Sequence, residues 1–313
     1  MYVYLIKRAI AVLPVMLVVA VVVFLLMHLT PGDPAAIIAG DYARPEDIAR
    51  IRKQLGLDQP LHIQFFKWLF AILRGDLGVS IFSNLPVSHL IAQRIEPTIM
   101  LSLSTILFSV LVAVPMGVWA AWRVGTSVDR LVMIFAVIGF SAPVFVIAYA
   151  LVYVFSLQLG WFPVQGYTPI GEDVFGFLRS IALPTFALGM VYIALIARIS
   201  RASMLEVLSE DYIRTARAKG TSEGSVLMRH ALKNASVPIV TIIGIGIALL
   251  IGGVVVTESV FNIPGLGRLI VDAVLSRDYP IIQGVILVFS AAFVAVNLLI
   301  DLSYTFLDPQ IRY

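Results

Sequence analysis

Residues able to do chemistry are sparse in this chain, and their spacing removes most of the usual options. The four histidines, His28, His62, His89 and His230, are scattered without metal-ligand spacing. Cysteine is absent, so there is no thiolate metal site, no disulfide framework and no cysteine nucleophile. The sequence contains no GxxxxGK[ST], no HExxH and no GxSxG. A phosphate-cradling loop, a zinc-protease helix and a serine nucleophile elbow are therefore all missing. Carboxylates are nearly absent from the apolar segments: Glu258 stands at the end of one and Asp301 near the end of another. Proton-coupled carriers usually keep ionisable groups at such depth, so a self-powered carrier is disfavoured. An intramembrane enzyme would need a polar catalytic pair there, and none is found. What remains is a basic cluster, "DYIRTARAKGTSEGSVLMRHALKNASVP" at 211–238, bounded on both sides by apolar sequence.

The elements around that cluster are written for lipid. The 313 residues are 60% hydrophobic and 13% charged, with a mean hydropathy of +0.97. Soluble domains are about 45–50% apolar. Six segments reach the ~20 apolar residues that a spanning helix needs: 9–29, 97–122, 131–159, 181–199, 237–257 and 281–306. The first follows Lys7 and Arg8 but is too long for a signal-peptide core and lacks a cleavage site, so it reads as a retained span. Pro143 predicts a kink in the third. Loop charge orients the whole: with the N-terminus inside, Lys7, Arg8, Arg123, Arg130, Arg198, Arg201, Arg229, Lys233, Arg312 and the basic cluster lie on the cytoplasmic side. Only Arg179, Arg268 and Arg277 fall in the short outer loops. Both termini are thus expected in the cytoplasm. The expected fold is an all-α membrane protein with six transmembrane helices, a structured extracytoplasmic segment after the first and a cytoplasmic helical loop between the fourth and fifth. Residues 1–96 are read as the first span plus the outer segment, and 97–313 as a five-helix core with its loop at 200–236.

The outer segment carries helix signals of its own. In "RPEDIARIRKQLGL", Pro45, Glu46 and Asp47 mark a start and Gly56 a stop. "PLHIQFFKWLFAILRGDLG" mixes Phe65, Phe66, Trp68 and Phe70 with Lys67 and Arg74, which suits a helix at the membrane interface in contact with lipids.

The basic cluster reads as a helix, a bend and a second helix. Ser209 is the expected N-cap, Glu210 and Asp211 fall in the first turn, Arg217 and Lys219 in the last, and Gly220 ends it. A second helix starts at Ser222 and runs to about Asn234, and Pro238 enters the first turn of the fifth span. Positive-inside anchoring explains any one arginine here equally well. It does not explain the ordered helix–Gly–helix pattern.

That stretch resembles the cytoplasmic coupling loop of ABC importer permeases, whose consensus is EAA, three residues, Gly, then a later Leu-Pro. Aligned on Gly220, the triplet falls on Arg214, Thr215 and Ala216, of which the final alanine is kept. Val237-Pro238 stands for the Leu-Pro. "DYIRTARAKG" followed by "RHALKNASVP" is similar to the variant in the peptide/nickel/opine subfamily. "HLTPGDP", "LGLDQPLHIQF", "GDLGVSI", "TESVFNIPGLGRLIVDAVLSRDYPIIQG" and "LIDLSYTFLDPQIRY" resemble that subfamily too. The long outer segment resembles the first of its two permeases.

The resemblance implies an inner-membrane permease of an ATP-driven, binding-protein-dependent bacterial importer of short peptides. Nickel, glutathione, an opine or an oligosaccharide are alternative cargoes. It implies a heterodimer with a second, homologous permease, two ATPase subunits beneath, and an extracytoplasmic solute-binding protein. ATP and Mg would belong to the ATPases, with no cofactor in this chain and no nucleic acid. Asp211, Tyr212, Arg214, Thr215, Ala216, Arg217, Ala218, Lys219 and Gly220 would contact the ATPase. Ser141, Pro143, Glu258, Phe261, Pro264 and Gly265 are the candidates for the pathway or its outer gate. Each has a plainer reading: a local hydroxyl-to-carbonyl bond for Ser141, a packing kink for Pro143, interfacial water for Glu258, and a turn for "FNIPGLG". From a different class, a scaffold subunit that binds a cytoplasmic partner without moving solute stays open.

Overall fold

Apolar runs that cannot leave backbone groups unpaired in lipid must become helices, and helices dominate. The computed structural model describes residues 2–29, 33–39, 44–54 and 56–307. Arg312 and the closing "DPQIRY" lie outside these, as do the side chains of Lys7, Arg8 and Asp301. The elements are α1 (Tyr2–Leu29), α2 (Pro34–Ala39), α3 (Pro45–Gln54), α4 (Leu61–Leu73), α5 (Val87–Trp122), α6 (Ser127–Ser141) and α7 (Val144–Leu151). Then come α8 (Val174–Leu208), α9 (Asp211–Ala218), α10 (Glu223–Ser225), α11 (Leu232–Phe261), α12 (Leu266–Ser276) and α13 (Tyr279–Leu307). Wider π-helical turns continue α7 over Val152–Gln158 and join α10 to α11 over Val226–Ala231.

Among the described residues, five helical runs are long and apolar enough to cross a membrane, and α6 with α7 and its π turn makes a sixth if the bent pair is one span. That pair is broken, not kinked: its halves meet at 103°. Pro143 withholds an N–H, and Ala142 before it adopts an extended conformation (φ −81°, ψ 127°), which is what a following proline favours.

Several spans outrun their expected limits. The second starts at Val87, not Pro97, and the fifth does not start at Pro238. Pro97, Pro115, Pro184 and Pro238 all lie inside continuous helices. Neighbouring groups in a membrane bundle re-satisfy what a proline frees, so proline is a weaker stop signal here than in a soluble chain.

Residue contacts divide the chain into two units, 1–96 with 268–295 and 97–267 with 296–313. In the first, α3 forms where its start and stop signals placed it, α4 forms over the aromatic stretch, and Gly56 has the left-handed φ of +68° that ends α3. Phe24 of α1 packs its ring on Phe65 and Trp68 of α4, with centroids 5.3 and 5.6 Å away. Buried Asp278 accepts from the Ser80 hydroxyl at 2.5 Å, fastening the "GDLGVSI" turn to the start of α13.

The second unit has a core from α5, α7, α8 and α11, centred on Leu101, Leu188, Ile193, Val254, Phe261 and Ile263. A smaller cluster at one end gathers Val118, Met204, Ile213, Val226, Leu227 and Ala231. It seats α9.

Candidate functional site

The helix α9 is set by its ends. Helix α8 runs on to Leu208, so Ser209 closes α8 instead of opening α9. Its hydroxyl donates to the Glu206 carbonyl at 2.7 Å. Glu210 is the N-cap of α9, without a side-chain capping bond, and Lys219 is its C-cap. The expectation for Ser209 fails because the fourth span's good helix formers, Met204, Leu205 and Glu206, carry the helix past the membrane boundary. Gly220 takes φ +82°, a left-handed value that costs any residue with a Cβ. The Gly220 and Thr221 N–H groups cap the last carbonyls of α9, those of Arg217 and Ala216.

Eight residues are too few for a helix to persist alone in water. Ile213 is the one fully buried side chain of α9, inserted among Met204, Val226, Leu227 and Ala231. The Asn234 amide donates to the Tyr212 hydroxyl at 2.6 Å. Across the bend, Arg217 donates twice to the Glu223 carboxylate, at 2.8 and 3.3 Å. These ties brace α9 against α10 and the foot of α11.

Asp211, Tyr212, Arg214, Thr215, Arg217, Ala218, Lys219 and Gly220 are exposed, and Ala216 is half-buried. These nine residues therefore lie on one short, anchored helix and its C-terminal bend. The second half of the loop differs from expectation: it is not a separate helix but the lower extension of the fifth span, one helical run Glu223–Phe261 of 39 residues.

Just above α9, the start of α6 is clamped to α8. Arg201 donates to both oxygens of Asp129, at 2.5 and 2.8 Å, and the Gly125 N–H donates to the same carboxylate at 3.0 Å. The sequence reading missed this pair. The signal was Asp129, an acid in the first turn of a helix, where the dipole favours it.

At the far end of α11 the remaining candidates come together. Glu258 is fully buried. Thr98 donates to its carboxylate at 2.6 Å and accepts from the Leu266 N–H at 2.8 Å. Asn262 ends α11 in the left-handed region (φ +54°), Ile263 N–H returns to the Glu258 carbonyl, and Gly265 N–H to that of Ile263. A Cβ on Gly265 would lie 2.1 Å from a Glu258 oxygen, so only glycine fits there. Phe261 is buried in the core and Pro264 is exposed. "FNIPGLG" is thus a locked corner between α11 and α12, with the Glu258 side chain shut off from solvent.

Ser141 and Pro143 occupy the break between α6 and α7, far along the chain from that corner, and both are exposed. The local hydroxyl-to-carbonyl bond expected of Ser141 is not formed among the described residues. No cluster of His, Asp and Glu suited to a metal occurs among them either.

Comparison with known proteins bears on the family and the fold. The family described as "Binding-protein-dependent transport system inner membrane component" matches residues 113–313, and its N-terminal companion matches 1–102. A probable peptide ABC transporter permease of Sinorhizobium fredii is 55% identical over the full length of both chains. The glutathione transport system permease GsiC of Salmonella paratyphi A is 46% identical over 99% of each. The inward-facing MetNI methionine ABC transporter shares the fold, with a TM-score of 0.59 at 17% identity over 70% of this chain and 96% of the other. The chain accordingly belongs to the binding-protein-dependent transport family, as a multi-pass inner-membrane permease subunit of an ABC importer and not a catalytic enzyme.

Proposed function

We propose that this permease imports short peptides, forming one half of a pathway whose other half is a second, homologous permease. Two ATPase subunits bind and hydrolyse MgATP, with no cofactor held by this chain, and an extracytoplasmic binding protein supplies the cargo. Both termini face the cytoplasm, because α9 and most of the loop arginines lie at one end of the helices.

The observation that carries the reading is the docked α9 with its exposed basic face at the foot of an unbroken 39-residue helical run. A push on α9 reaches Glu223 through Arg217 and the smaller core through Ile213. From there it enters α11 without crossing a flexible linker. The relatives' names supply the peptide-like cargo.

The test is purification of the tagged chain with its partners and reconstitution in liposomes. ATPase subunits and a second permease should copurify, and binding protein loaded with a short peptide should stimulate both hydrolysis and uptake. A chain that purifies without ATPase subunits, or an assembly that moves no peptide, defeats the reading.

A further inference from the structure

Arg198 is a charge the coupling scheme does not use. It belongs to α8, three residues before Arg201, yet the two arginines are satisfied differently. Arg201 holds Asp129 with both ends of its fork. Arg198 forms no ion pair among the described residues. Its guanidinium lies 5.9 Å from the centre of the Phe140 ring instead.

The register tells where that guanidinium points. Helices α6 and α8 run antiparallel: Asp129 pairs with Arg201, and Gly139 packs on the Met190 carbonyl and Ala194. Asp129 and Phe140 are separated by about 16 Å of helix rise, but Arg201 and Arg198 by only about 5 Å. Arg198 therefore extends along α8 toward the break at Ala142, away from the end where Asp129 lies. That follows the lean of helical side chains toward the helix N-terminus. Snorkelling to the nearer surface would send it the other way.

Around it lies a cavity of about 200 Å³ lined by Met133, Val137, Phe140, Ser141, Leu195 and Arg198. An exposed serine hydroxyl and an arginine without a carboxylate thus share one otherwise apolar hollow at the broken span. Arg198 is exposed at that hollow; ionisable side chains on membrane helices usually face a bundle interior or a water-filled cavity, and a planar fork suits carboxylates. We propose that Arg198, with the Ser141 hydroxyl beside it, is an anion-recognising contact in the pathway that takes a carboxylate of the passing solute. This deepens the peptide-import reading and rests on it, since peptides carry such a group.

The cysteine-free chain allows a direct test. Ser141→Cys is introduced into the complete reconstituted assembly and labelled with an anionic sulfonatoethyl or a cationic trimethylammonioethyl methanethiosulfonate. Rates are normalised to those of a free thiol, and labelled chain is counted by intact mass. Arg198 should favour the sulfonate, and Arg198→Gln should lower the anion-to-cation rate ratio about three- to tenfold, as one unit charge does at side-chain distance in a wet site. Arg198→Lys should keep most of the preference. A thiol unreactive to both reagents, with and without ATP, places this face against lipid or protein and overturns the inference. An unchanged ratio in Arg198→Gln overturns it too. ATPase copurification is read from the same preparation, so loss of the permease reading is seen separately.

Discussion

Ile213→Ala separates the anchoring of α9 from the folding of the rest. Ile213 is fully buried and is the only fully buried side chain of its eight-residue helix. Truncating a buried isoleucine to alanine costs about 2–5 kcal/mol, a transfer loss plus the cavity left behind. Helix α9 contributes little else to the core, so most of that cost should fall on the local equilibrium between seated and unseated α9. A mid-range loss of about 3 kcal/mol lowers the seated-to-unseated ratio by roughly two orders of magnitude. What survives is the Tyr212–Asn234 hydrogen bond, worth about 1 kcal/mol, and the exposed Arg217–Glu223 pair, worth less. Neither replaces the loss. The assay is solute imported per ATP hydrolysed in liposomes, with immunoblotted chain per lipid as the control. Ile213→Ala should hydrolyse ATP while importing little, at normal chain levels. Ile213→Val, costing about 0.5–1.5 kcal/mol, should stay near the parent. Wild-type stoichiometry in the alanine variant would refute the anchoring argument. Disappearance of the chain from the membrane would refute the claim that the cost is local.

Gly220→Pro forces a residue fixed near −65° into a position at φ +82°. It should uncouple uptake from hydrolysis, as should Ala216→Asp, and normal uptake by both at normal levels would dismiss the lever. Asp129→Ala strands Arg201, at a cost of about 2–3 kcal/mol. That is reduced from the 3–5 typical of a fully buried pair because the Arg201 side chain is 24% exposed. Thermal unfolding of the purified assembly should show Asp129→Ala/Arg201→Met recovering most of the loss, and purely additive losses would deny the coupling. Gly265→Ala must displace the Glu258 carboxylate or the corner's backbone. Its membrane level should fall well below that of Gly224→Ala, whose added Cβ meets nothing within 4 Å, and equal levels would count against the locked corner.

What was legible in the sequence followed from periodicity and capping. Apolar length gave the spans, Pro45 and Gly56 bracketed α3, and Asp211 to Gly220 marked α9 because its start and stop residues are local. What was not legible depended on partners distant in sequence. Thr98 and Glu258 are 160 residues apart, and nothing near Glu258 announces that a threonine inside another span will bind it. Asp129 and Arg201 are separated by 72 residues. Proline misled in both directions: it suggested starts at 97 and 238, where the helix continues, and only a kink at 143, where it breaks. Lipid makes the difference, because an interior proline is tolerated when a neighbouring helix can meet the freed carbonyl. A preceding residue forced into extended geometry cannot be accommodated in that way. The helix α12 went unread because its residues fall in the stretch read as a short outer loop, where only "FNIPGLG" was considered, as a gate or a turn.

The run from Glu223 to Phe261 measures about 58 Å at helical rise, nearly twice the oily thickness of a bilayer. Its lower tip neighbours the bend at Gly220, and its upper tip holds the Glu258 corner. Swung as a solid shaft, it would carry ten degrees of rotation at the bottom into a sweep on the order of 10 Å at the top. Timing would then need no separate messenger: a movement begun at the bend would reach the corner with the same rod, and a jam at either end would stall both.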